Sequence, residues 1–98
     1  MTLHTLNKQD KDLVQLCVSA LAPEDSLLLL EDGVYAALGG TDSRLDTAML
    51  PAGLKLYALM EDLVARGISE KIPDVFIRVT YRDFVSLSLT CNKVVNWN

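Results

Sequence analysis

The chain has 98 residues, half of them hydrophobic and 22% charged, with a net charge of −4. That is material for a single domain, residues 1–98, able to bury about two-thirds of its surface. It excludes a disordered chain and a membrane span, because no apolar run approaches the roughly 18 residues a span needs.

Nine basic residues lie scattered without a cluster, which argues against direct contact with RNA or DNA, whose affinity comes from neutralised phosphates. The start, "MTLHTLNKQDKD", has neither the basic opening nor the apolar stretch of a secretory signal, so the cytoplasm is the expected compartment.

In chain order, "TLHTL" (residues 2–6) is a weakly alternating strand, and "DLVQLCVSALA" (12–22) has helical spacing and stops at Pro23. "SLLLL" (26–30) lies between Pro23 and "EDG", too cramped for a helix. A strand buried on both faces shows no alternation, so the leucine run reads as a strand. "VYAAL" (34–38) suits a short helix closed by Gly39 and Gly40, and "GTDSRLDTAMLPAG" reads as a loop with one helical turn.

"LKLYALM" (54–60) is a third strand. "EDLVARG" (61–67) is a helix with acids first, Arg66 last and Gly67 as its stop. "VFIRVT" (75–80) is a fourth strand, "YRDFVSLSLTC" (81–91) an amphipathic helix, and "VVNW" a short closing strand. In that helix Tyr81, Phe84, Val85, Leu87 and Leu89 are expected on one side. Strands separated by helices pair in parallel through crossovers. The expected fold is a small three-layer α/β/α domain with a mostly parallel sheet of four to five strands. Helices this short cover a sheet poorly, and uncovered apolar surface points to a partner.

The candidate chemistry is sparse. Glu31 and Asp32 follow a buried strand, where open parallel sheets bind ligands. Turn chemistry accounts for them more simply, with Asp32 expected to cap the "VYAAL" helix; Glu61 and Asp62 read as first-turn helix acids. There is no P-loop, no dinucleotide fingerprint and no "GxSxG". Cys17 and Cys91 have neither zinc-knuckle spacing nor the density of a disulfide scaffold. With His4 as the one histidine, no metal site and no cofactor are expected, and His4 itself reads as a hydrogen-bonded structural residue. Cys17 lies near the middle of a broad apolar arc formed by residues 13, 14, 16, 17, 18, 20 and 21, which predicts burial and an inert thiol. The arc is wider than one sheet contact needs, so part of it is expected to meet another subunit.

In sequence order, "LHTLNK", "LLLLEDGVYAAL", "LKLYALMEDLVARGI" and "VTYRDFVSLSLTCNKVVNW" resemble the TusB/DsrH family of sulfur-relay proteins over nearly the whole chain. The resemblance implies a DsrEFH-like fold and a heterohexamer with TusC/DsrF-like and TusD/DsrE-like sister subunits. In one branch that complex passes persulfide sulfur, with a TusE/DsrC-like acceptor, toward 2-thiolation of the tRNA wobble uridine. This family's chain is then mainly a structural subunit, not an enzyme alone. Cys17 is similar in position to a cysteine of the sulfur-oxidising branch and departs from the tRNA pattern. That implies the alternative of a DsrH-like subunit with Cys17 as persulfide carrier. A homo-oligomeric module without sulfur chemistry is the third expectation.

Overall fold

The computed structural model describes residues 1–39 and 45–98. It holds a five-stranded, wholly parallel sheet in the order β4-β3-β2-β1-β5. The strands are β1 (Thr2–Leu6), β2 (Ser26–Leu29), β3 (Lys55–Leu59), β4 (Ile77–Val79) and β5 (Lys93–Trp97). Three α-helices join them: α1 (Lys11–Ala20), α2 (Met60–Ala65) and α3 (Tyr81–Thr90). Two 3₁₀ segments, Glu31–Leu38 and Thr47–Met49, lie between β2 and β3. The second supplies the helical turn expected in that loop; Gly40 and the rest of 40–44 lie outside the described residues.

The strand order dictates the layers. From β1 to β4 each strand is laid down beside the last in one direction, so right-handed crossovers put α1, the 3₁₀ segments and α2 on one face. The step from β4 to β5 runs back across the sheet and puts α3 alone on the other. The core divides accordingly. On the first face Leu6, Leu27, Leu29 and Ala58 pack with Val14 and Cys17 of α1, Val34 and Leu63. On the second, Leu3, Leu28, Leu59 and Val79 meet Phe84, Leu87 and Cys91. All four residues of β2 are buried, which is why the leucine run does not alternate.

α1 ends at Ala20, earlier than expected, because the chain before Pro23 is already extended at Leu21. The expected side for Tyr81, Phe84, Val85, Leu87 and Leu89 is corrected. Phe84 and Leu87 face the sheet, whereas Tyr81, Val85 and Leu89 are exposed. They recur every fourth residue and run down the outer face of the helix. Ten residues make a helix about 15 Å long and 10 Å wide, laid over a sheet about 19 Å across. One helix cannot cover it, and Ile77 and Val94 on the flanking edge strands stay partly open on that face.

Candidate functional site

Helices of a parallel sheet begin at its carboxyl edge, so their N-terminal amides converge where ligands usually bind. In this chain the acids there are already engaged with those amides. Asp10 caps α1 by accepting from Leu13 N at 3.1 Å. Asp62 accepts from Glu31 N at 2.7 Å, and Glu61 from Tyr81 N at 3.0 Å. Thr80 and Asp83 form a reciprocal capping box on α3.

Asp32 does not cap the helix after β2, contrary to expectation. That segment starts at Glu31, earlier than the sequence suggests, and its cap position is Leu30, with no side-chain cap bond. Asp32 reaches instead to Arg66, 2.9 Å from Nη2, while Arg66 Nη1 lies 3.4 Å from Asp62. The guanidinium also sits 6.0 Å above the Tyr35 ring. Glu31 has a φ of 51°, a left-handed conformation costing roughly 1–2 kcal/mol in a non-glycine residue. The charge-assisted bond to Asp62 offsets that cost. Gly33 follows at a point where a β-carbon would overlap the Leu6 carbonyl oxygen, so the segment presses directly on the end of β1. Asp32, Glu61 and Asp62 therefore tie elements together. Among the described residues no group of three or more His, Cys, Asp and Glu side chains is placed to hold a metal ion.

Cys17 is fully buried. Burial pushes its thiol up to about 12, so almost no thiolate exists near neutral pH. Its helix confirms the breadth of the apolar arc: Val14 and Cys17 are inside, but Leu16 is 59% exposed. Cys91 is half-buried at the end of α3, with Sγ 3.9 Å from Met1 Sδ.

His4 is buried and hydrogen-bonded on both ring nitrogens, as its structural reading requires. Nε2 lies 2.9 Å from Asp25, and Trp97 Nε1 donates to Nδ1 at 3.1 Å. Asp25 also accepts from Thr2 N and Ala22 N. Burial alone would raise this carboxyl, but the bonds from His4, Ala22 and Thr2 outweigh it and hold it below the usual carboxylate range. Sequence reading missed both this network and the Arg66 bridge. Their partners stand 21, 93 and 34 positions apart, and no local pattern signals such pairings.

The family pattern described as "DsrH like protein" matches residues 8–94. This chain belongs to the TusB/DsrH family. Protein TusB of Escherichia coli O81 (strain ED1a) is 39% identical over 97 residues, covering 97% of this chain and 99% of the relative. Protein TusB of Buchnera aphidicola subsp. Acyrthosiphon pisum (strain 5A) is 40% identical over 96 residues, with the same coverage. Of solved structures, the solution NMR structure of protein Tm0979 from Thermotoga maritima matches with a TM-score of 0.62. The two chains are 30% identical, over 91% of this one and 92% of that one. The TusB/DsrH resemblance read from four separate stretches is thus borne out, and so is the α/β fold it implied. No helix among the described residues is long and apolar enough to cross a membrane.

Proposed function

We propose that this chain is an accessory subunit of a cytoplasmic sulfur-relay complex serving 2-thiolation of the tRNA wobble uridine. In this reading it assembles with TusC/DsrF-like and TusD/DsrE-like sister subunits in a heterohexamer. Persulfide travels on cysteines of those sisters toward a TusE/DsrC-like acceptor. Membership of the TusB/DsrH family and relatives named TusB support the pathway. The observation that carries the accessory role is Cys17: a sulfur carrier needs an accessible thiolate, and this thiol is buried and protonated. The apolar outer face of α3 supports assembly, since an exposed row of Tyr81, Val85 and Leu89 is costly to leave in water.

Co-expression with the sister subunits tests the reading. One stable assembly is expected, and intact mass after treatment with a persulfide donor should show sulfur added to a sister chain and none to Cys17. A chain that stays monomeric beside its sisters at micromolar concentration overturns the proposal. Sulfur gained at Cys17, free or in the complex, transfers support to the DsrH-like carrier of sulfur oxidation. A homo-oligomer indifferent to the sister chains transfers it to the module without sulfur chemistry.

A further inference from the structure

The single histidine and the single tryptophan of the chain meet across the β1–β5 ladder, 93 positions apart. An indole N–H can only donate, so the His4 nitrogen it faces must accept, and an accepting nitrogen carries no proton. The ring is therefore neutral, with its proton on Nε2 donated to Asp25. The two partners pull in opposite directions. Asp25, whose carboxyl stays ionised well into acid, favours an imidazolium. Trp97 forbids one, because a proton on Nδ1 would set two donors against each other at 3.1 Å.

We infer that His4 is a pH-operated latch: uptake of a proton at Nδ1 ejects the Trp97 indole and loosens the carboxyl end of β5. One N–H bond forms, at Nδ1, with a proton taken from solvent, and otherwise only hydrogen bonds change. The sheet geometry directs the effect. Among the described strands β5 lies at the edge beside β1 alone, and the Trp97 ring lies stacked 6.3 Å from the His4 ring. Losing the indole bond therefore removes one of two side-chain ties at the end of β5, the other being Thr5 Oγ1 donating to Asn96 Oδ1 at 2.6 Å. Beyond Asn96 the Trp97 carbonyl accepts from Asn7 N at 3.4 Å, a weak bond.

Three other groups bear on this side of the sheet. Asp25, before β2, becomes a full ion-pair partner when the ring charges. Cys17, on α1, stays protonated throughout the range. Lys93, on the same face of β5 two positions before Val95, which pairs with His4, is exposed. Among these groups the imidazole is the one the latch requires to change state. The Trp97 contact is present while the ring is neutral and lost once it is charged.

NMR-detected hydrogen exchange on the whole chain between pH 8 and 5, corrected for intrinsic exchange, tests the latch. As the His4 ring signals report protonation, the Trp97 indole N–H and the end amides of β5 should lose protection by about tenfold or more, while β2 amides keep theirs. In His4→Gln, which cannot titrate, Trp97 should behave alike at both pH values. Trp97→Phe removes the opposing donor, so the ring should titrate higher than in the parent, by roughly half to one pH unit. That comparison stands even if His4→Gln does not fold. The latch is overturned by an indole that stays protected while the ring is charged, or a ring that stays neutral at pH 5. It is equally overturned by loss of β2 protection in step with β5, by pH-dependent loosening in His4→Gln, or by an unchanged titration in Trp97→Phe.

Discussion

A thiol attacks only as its thiolate, and a thiolate at position 17 would have to form among Leu and Val side chains. With the thiol pushed up to about 12, an alkylating reagent at pH 8 should label Cys91 and spare Cys17 until denaturant opens the fold. Labelling of both at equal rates, followed by mass spectrometry, would contradict this burial. Cys17→Ser should cost about 1–3 kcal/mol in a urea titration, because it places a hydroxyl in a fully buried apolar position.

At the same scale, Asp25 makes stability depend on acid. Its folded value lies below the ordinary 3.8, so the ionised form stabilises the fold above that pH, and the contribution disappears as pH falls through the lower folded value. Urea midpoints measured between roughly pH 5 and pH 2 should therefore fall less steeply in Asp25→Asn than in the parent chain.

Individual elements were legible in proportion to how local their causes are. The buried leucine run, the stop at Gly67 (φ 69°) and the acids at the start of α2 follow from neighbours in sequence. The boundary at Glu31 does not. It is set by a hydrogen bond from the Glu31 backbone N–H to Asp62, 31 positions away, and by contact between Gly33 and β1. The single apolar side assigned to α3 failed for a related reason. Periodicity says which residues share a face, but not that a lone helix on a wide sheet leaves an apolar row facing outward. The capping box on α3 is local and was available in "TYRD". Thr80→Ala should cost about 1 kcal/mol, read as a lower denaturation midpoint, with the helix fraying from its first turn.

Across the whole molecule, stability and assembly should separate. Leu89 is 81% exposed, so Leu89→Glu should leave the denaturation midpoint of the isolated chain within about 0.5 kcal/mol of the parent. The same change should weaken capture by the sister subunits, measured by size-exclusion chromatography of the co-expressed set. Unimpaired assembly would mean that the complex uses another surface. That helices this short would cover a sheet of four to five strands poorly was expected from the sequence; which residues line the open face became visible only once the strand order was known.

The β1–β5 ladder also has a kinetic side. Leu3 meets Ser26 across 23 positions, whereas Leu6 meets Trp97 across 91. Closing the larger loop costs about 1 kcal/mol more chain entropy. Pairing of β1 with β2 can thus nucleate the sheet, while β5 joins late, and mutations in it should chiefly speed unfolding and scarcely slow folding. A strand recruited last is also the one most easily given up, so the outer edge beside β1 is where this sheet would first part company with itself.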